Sequence, residues 1–520
     1  MKISASKRTC LIGSIFLLAA IIRFFIVFSY RNYIGGDEAI VGLMAKHILA
    51  GTGFPLFYYG QPYMGSIEAM LAALIFALGG ASIFTLRLSP FLFSMAFLVI
   101  FYLSARRFSI PGFSILALSL AALPPIFFIQ WGVLARGGFI EALLWGQISI
   151  LFLSFILEHP SSLRYYIGAG LSLGLGFWTN PLIMPYLLTV AGFLIVILLL
   201  RGKSRYRLAL GAIISFIVGA SPLIIYNLIY PGATLIYLIK SFSGISRNTW
   251  ETKSLWGNFV YIIVKKLWLN PIGSTHSLAH IFRASSNSPF NMLSYLITAG
   301  SLLLFLGHGI RRQFKLHCTW QHRMVLSYCV LGTLTLFLGS SGKFIPRYFL
   351  PIYSVYPIAL ASVLLRLKKR NKHLFITLFL VIILLNISGN IEALIHPPGD
   401  EDDKLIVVLD TLGTKRGYAT YDVSYRVAFK TGERIILSPS IPTSFGLADR
   451  YLLYTTEVDR GQDLIYILPA ASRENKIFSF YLEQSFGGYD HATANGYSLY
   501  YNLENPLNSR DLKRLFSDVF

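Results

Sequence analysis

Cysteine is almost missing from this chain: it has three in 520 residues, at 10, 318 and 329, and none in the last third. No disulfide framework can therefore hold the C-terminal part, and cysteine carries no information about redox chemistry. Acids are also scarce, with 24 Asp and Glu against 45 Lys and Arg for a net charge of +21. In a soluble protein that excess would point to nucleic acid. Here Lys and Arg collect in short clusters between apolar runs, as in the cytoplasmic loops of membrane proteins, so no nucleic-acid partner is expected. Nucleotide and metal motifs are wanting as well. GSSGKF (Gly339 to Phe344) has neither Walker A spacing nor a Ser or Thr after Lys343, and GAGLSLGLG (Gly168 to Gly176) lies inside an apolar run, where small residues let helices approach. His276 and His280 share a helical spacing but no HExxH glutamate accompanies them. No cofactor and no metal are expected.

What the chain has is long hydrophobic runs: 55% of its residues are hydrophobic and 13% charged. Several runs reach the length of about 20 residues that crosses a bilayer. The first, Cys10 to Tyr30, follows Lys2, Lys7 and Arg8, and no small-residue cleavage site follows it, so it reads as a retained span with a cytoplasmic N-terminus. Arg23 within it is expected to snorkel to the outer interface. The run Ile67 to Leu78 is short for a span, and charge parity decides its fate. If it crossed, Arg106 and Arg107 and each later basic cluster would change sides. It is therefore expected to lie in the interface plane, as is the helix Asp37 to Ala50, whose stripe Ile40, Val41, Met44 and Ile48 would rest on lipid.

The remaining spans are expected at Phe84 to Ser104, Gly112 to Trp131, Phe139 to Leu157, Tyr165 to Phe177, Leu182 to Leu200 and Leu208 to Tyr230. Four more follow at Phe290 to Gly309, Met324 to Leu338, Phe349 to Leu365 and Leu374 to Asn390. The fold class is thus a polytopic α-helical membrane protein of about eleven spans (residues 1–390), with two in-plane juxtamembrane helices in the first outer loop (31–83) and a long outer loop (231–289). From Pro397 the texture changes. Strand-like Gly417 to Thr420, Arg434 to Leu437 and Leu464 to Leu468 alternate with helical Lys404 to Leu412, Asp422 to Thr431 and Arg473 to Glu483, and Asn495-Gly496 marks a hairpin. Residues 391–520 are expected to form a small α/β domain outside the membrane.

In an acid-poor chain, Asp37 and Glu38 stand together directly after the first span. As an acidic first helical turn they are ordinary; set against outer-side cations they gain chemical meaning. Arg136 in LARGGF, and Lys343 and Arg347 in GKFIPRYFLP, run against the expected inside bias of positive charge. If a sugar donor carries a lipid phosphate, the leaving group is already a stable anion. Cations can then replace a general acid, and one carboxylate suffices as the base of a single inverting displacement.

The order of first span, acidic pair, YYGQPYMGSIEA (Tyr58 to Ala69), L-A-R loop (Leu134 to Arg136) and R-Y-x-L-P motif (Arg347 to Pro351) resembles the GT-C superfamily of glycosyltransferases. The branch it is similar to is the protein mannosyltransferase and lipid A aminoarabinose transferase group, bacterial and glycosyltransferase family 39-like. The resemblance covers the chain to about Leu365. It implies Asp37 as catalytic carboxylate, with Glu38 positioning it or binding the acceptor, and Arg347, Lys343 and Arg136 as contacts to the donor phosphate. Tyr59, Gln61, Tyr63, Glu68 and Tyr348 are implied as acceptor or donor contacts. Gln61 and Asn180 stand where relatives often carry Lys, and Gly137-Gly138 where they carry Pro-Asp. The expected partners are a polyprenyl-phosphate-linked sugar donor and a lipid, protein or polysaccharide acceptor, at the outer face of a bacterial inner membrane with the C-terminus outside. A transporter or flippase of lipid-linked saccharide, and an oligosaccharide ligase, are the alternatives.

Overall fold

The computed structural model describes residues 4–108, 110–201, 206–243, 346–399, 402–443, 448–485 and 487–516. The expected spans Phe290 to Gly309 and Met324 to Leu338, together with Lys343, His276 and His280, lie outside the described residues.

The chain is mostly helical and built as a multi-pass membrane protein. Helix α1 (Ala5–Ser29) is followed by two short helices, α2 (Gly36–Leu49) and α3 (Ile67–Gly79), and then by α4 (Ile83–Arg106). Next come α5 (Phe113–Ala122), α6 (Ile126–Val133), α7 (Phe139–Glu158), α8 (Leu163–Thr179), α9 (Met184–Arg201), α10 (Tyr206–Gly219), α11 (Ser221–Ile229) and α12 (Ala233–Ser243). After a 3-10 segment, Pro346–Ser354, α13 (Tyr356–Arg370) and α14 (Lys372–Ile395) complete the helical part. Among the described residues six helices are long and apolar enough to cross a membrane, or up to eight if each bent pair is one span. Exposed Leu17, Ile21, Phe24 and Phe28 on α1, and Leu380, Leu384 and Ile391 on α14, form the apolar outer faces that lipid would cover.

The bend between α5 and α6, 73°, has a local cause in Pro124 and Pro125. Breaking a helix in an apolar layer frees carbonyls that water cannot reach, so side chains must satisfy them. Tyr356 donates to the Leu120 carbonyl, Tyr353 to Ala121, Arg23 to Ala122 (3.0 Å) and Asn386 to Leu123 (2.8 Å). This corrects the expectation for Arg23. Instead of snorkelling it is fully buried, and it also donates to Ser94 Oγ and Tyr353 Oη, fastening α1 to α4 and to the 346–354 segment. Elsewhere small residues set the approach: a Cβ on Gly170 would lie 2.1 Å from the Ala212 carbonyl, and one on Gly174 2.2 Å from that of Phe216, so α8 and α10 meet backbone to backbone.

The C-terminal part comprises α15 (Asp402–Thr411), β1 (Arg416–Tyr418), α16 (Tyr421–Thr431), β2 (Ile436–Ser438), α17 (Leu452–Asp459) and β3 (Leu464–Pro469). These lead to α18 (Arg473–Gln484), the hairpin β4 (Asp490–Ala494) and β5 (Tyr497–Tyr501), and α19 (Ser509–Leu515). The sheet order is β2-β1-β3-β5-β4, with β1 parallel to both β2 and β3 and the other pairs antiparallel. Both faces are covered: Ile465 and Ile467 join Leu405, Val423, Val427 and Leu437 on one side, while Tyr466 joins Tyr418, Phe478 and Tyr500 on the other. Asn495 and Gly496 both take positive φ, as a tight hairpin turn demands.

This sheet unit does not stand apart. Helix α2 lies between α3 and α16, and its stripe, expected on lipid, is inside the protein: Ile40, Val41 and Met44 are buried and Ile48 partly so. The reason is steric as well as apolar. Gly42 gives the Phe429 ring of α16 its seat, since a Cβ there would fall 2.3 Å from the ring. The Gly36 amide donates to Asp422 (3.1 Å), and Lys46 donates to the Phe429 carbonyl (2.7 Å). His47 Nε2 meets Glu433 at 2.9 Å.

Candidate active site

The acidic pair that opens α2 is split by its position on the helix. Asp37 faces a cavity of about 510 Å³, whereas Glu38 points into the protein. Glu38 is fully buried and receives Arg87 through Nε and Nη2, both at 2.9 Å, with further bonds from the Ala135 and Gly35 amides. Arg87 gives two of its three remaining donors to the Tyr30 and Tyr33 carbonyls. Burial alone would raise the Glu38 carboxyl, but the charge and hydrogen bonds of Arg87 outweigh it and hold it below the ordinary range. This pair fixes the end of α1, the start of α2 and the 134–136 loop against α4, and so fixes where Asp37 stands.

Asp37 is held by two phenols. Tyr421 at the start of α16 donates to Oδ1 at 2.6 Å; Tyr58 donates to the Asp37 carbonyl at 3.0 Å and to Oδ1 at 3.4 Å. Burial and, next to it, the charge of Asp37 raise both phenols above their usual range, so both remain donors. Tyr58 is placed by a turn in which its amide bonds the Met64 carbonyl, at the small bridge Phe57 to Gly65.

The same cavity is lined by Gln61, Tyr63, Arg136, Asn180, Arg347, Tyr348 and Arg450, and on its apolar side by Leu182, Met184, Pro185, Leu188 and Leu238. Among the described residues Asp37 is its one carboxylate, facing three guanidinium groups. Arg136 lies over the Trp131 ring at 4.7 Å and Arg347 over Tyr348 at 5.6 Å. The Arg136 loop is built on Gly137 and Gly138, both at positive φ, so that their amides converge on Glu68 Oε2 at 2.6 and 3.1 Å. Burial raises the Glu68 carboxyl in spite of these two amides. Asn180 braces the loop, donating to the Gly137 carbonyl (3.3 Å) while its oxygen caps the Leu182 amide.

Of the residues picked from the sequence, Asp37, Arg136, Arg347, Gln61, Tyr63 and Tyr348 meet at the cavity. Glu68 and Glu38 sit behind it as supports. Tyr59 lies away from it, bonded to His47 Nδ1 at 2.6 Å and stacked on Tyr451. Sequence reasoning missed Tyr58, Arg87, Tyr421 and Arg450. Of these Arg87 carried a signal as a charge inside an apolar run, and Tyr58 as the first residue of the YYGQPYMGSIEA stretch.

Residues 62–226 match the family model described as dolichyl-phosphate-mannose-protein mannosyltransferase. Among curated proteins none matches the sequence. Among solved structures the chain is similar to ArnT from Cupriavidus metallidurans bound to undecaprenyl phosphate, at 13% identity and TM-score 0.62, over 97% of this chain and all of that one. It is also similar to the Archaeoglobus fulgidus oligosaccharyltransferase in complex with Zn and sulfate, at 14% identity and TM-score 0.53, over 95% of this chain and 74% of that one. At these identities the likeness is one of fold, and the fold that this chain resembles is that of the GT-C glycosyltransferases.

Proposed function

We propose that the chain is an inverting glycosyltransferase that moves a sugar from a polyprenyl-phosphate donor to an acceptor at the outer face of a bacterial cytoplasmic membrane. Topologically the proposal keeps about eleven spans, a cytoplasmic N-terminus and the C-terminal unit outside. The observation that carries it is one cavity holding a carboxylate, several guanidinium groups and an apolar side. The apolar side suits a prenyl chain, and the guanidinium groups suit its phosphate. The likeness to a structure bound to undecaprenyl phosphate supports the same donor class.

In this reading Arg136 and Arg347, with Lys343, hold the donor phosphate. The acceptor hydroxyl oxygen attacks the anomeric carbon and the carbon–oxygen bond to phosphate breaks. The acceptor proton passes to Asp37, and the phosphate leaves as an anion already paired with cations. Both phenols grip Asp37 by Oδ1, which leaves Oδ2 for the acceptor hydroxyl. Base catalysis of this kind contributes about 10²- to 10⁴-fold.

The test is release of polyprenyl phosphate from labelled lipid-linked sugars by purified protein with crude envelope acceptor. Asp37→Asn is expected to abolish release with donor binding intact, and Arg347→Ala to weaken donor use. Unchanged turnover in Asp37→Asn removes the assignment of the base. If no donor is consumed but a lipid-linked sugar changes leaflet in vesicles, the protein is a transporter.

A further inference from the structure

Arg450 reaches the cavity from the C-terminal unit, 390 residues from the Gly60 carbonyl to which its Nη1 donates at 3.5 Å. The same nitrogen donates to Tyr237 Oη at 3.0 Å. With the Gln61 amide turned so that its oxygen meets the guanidinium, the orientation its surroundings favour, that oxygen accepts from Nη1 at 3.1 Å and Nη2 at 2.7 Å. The guanidinium also lies 5.9 Å from the ring of Tyr421, whose hydroxyl holds Asp37. All of these partners are neutral. Among the described residues no carboxylate pairs with Arg450, and its Nε is buried without a hydrogen-bond partner.

A largely desolvated cation that forms no ion pair among the described residues is costly unless something pairs with it. Three separate stretches nevertheless converge to keep it there: the 57–65 turn, α12 and the C-terminal unit. If Arg450 only fastened the unit to the helical part, an amide or hydroxyl would make the same neutral contacts without that cost. A fixed guanidinium that lines the same cavity as the base is instead arranged for an anion, and its planar fork suits a phosphate.

We propose that Arg450 is a phosphate-binding residue for the lipid-linked donor, so that the C-terminal unit supplies part of the substrate site. This rests on the transferase reading of the cavity. It separates from that reading because it assigns one specific cation to one specific group.

The experiment compares two ligands that share a prenyl chain and differ in charge, undecaprenyl phosphate and undecaprenol, titrated against the full-length protein in nanodiscs. The natural sequence is expected to prefer the phosphate. Arg450→Gln is expected to weaken phosphate binding about ten- to hundredfold and leave undecaprenol binding unchanged. Arg450→Lys, which keeps charge but not the fork, is expected to fall between, and it reads the same preference if the Gln variant fails to fold. Equal loss of both ligands, or retention of the full preference in the variants, overturns the role of Arg450 and leaves the transferase reading in place. A natural protein with no preference for phosphate over alcohol overturns both.

Discussion

The phenol of Tyr421 donates a 2.6 Å hydrogen bond to Oδ1 of Asp37 across 384 residues of chain. The carboxylate that opens the first short helix is therefore oriented by the first residue of a helix in the C-terminal unit. Tyr421→Phe removes this donor without removing the ring. Loss of one hydrogen bond to a charged group is worth about 1.5–3 kcal/mol, so turnover is expected to fall about ten- to hundredfold while donor binding persists. Turnover within twofold of the natural protein would show that Tyr58 alone orients the base.

Glu38 behaves differently from its neighbour. Replacing it with Gln leaves Arg87 fully buried without its counter-charge, and breaking a buried pair in this way costs about 3–5 kcal/mol. Glu38→Gln is expected to lower the melting temperature sharply and reduce the yield of folded protein, whereas Asp37→Asn leaves both near normal. Thermal unfolding in detergent separates the two roles. A Glu38→Gln protein of normal stability and no turnover would make Glu38 catalytic after all.

A third acid gives a prediction of opposite sign. Among the described residues, both carboxyl oxygens of Glu141, in the first turn of α7, are buried without hydrogen-bond partners. Glu141→Leu removes an unsatisfied polar group at little change of volume and is expected to stabilise the fold by about 1–3 kcal/mol. An unchanged or lower melting temperature would mean that the carboxyl is satisfied in the membrane.

The seam between α2 and α16 offers a steric test. Gly42→Ala puts a methyl 2.3 Å from the Phe429 ring, so the buried ring or the helices that hold it must shift. We expect loss of turnover and faster proteolysis of the C-terminal unit, partly reversed by Phe429→Ala, which vacates the space. Failure of that second change to restore anything would place the damage elsewhere.

The same seam has a pH dependence. Burial raises the Glu433 carboxyl, but hydrogen bonds from His47 and Tyr454 and the nearby Lys46 charge outweigh it and hold it below its ordinary value of 4.5. A depressed carboxylate contributes stability that is complete above its unfolded value and is lost as pH falls through the folded one. Protection of the α16 amides against hydrogen exchange, relative to their intrinsic rates, is therefore expected to fall below pH 4.5, and in Glu433→Gln to lose that part of its pH dependence. Exchange equally steep in both proteins would assign the effect to other acids.

Much of the membrane layout was legible in the sequence because a bilayer imposes a length on its spans, and the strands of the C-terminal unit because burial on two faces leaves a clear apolar pattern. Asp37 was legible because acids are rare here. The stripe of α2 misled because Ile40, Val41 and Met44 look alike whether they meet lipid or Phe429. Arg23 misled for a related reason, since the Ala122 carbonyl it satisfies belongs to a break 99 residues away. Tyr421 and Arg450 left no trace, being ordinary residues in an ordinary α/β stretch whose significance is purely spatial.

That spatial fact bears on how the protein comes into being. Asp37 is made some four hundred residues before the two groups that complete its surroundings, at positions 421 and 450. Until the C-terminal unit is made, and while the earlier helices are entering the bilayer, the carboxylate has neither the phenol that orients it nor the guanidinium that shares its cavity. A chain cut short before the sheet unit would still hold its acid and its membrane anchors but would present an unfinished pocket. Order of synthesis thus keeps the site incomplete until the C-terminal unit has been made.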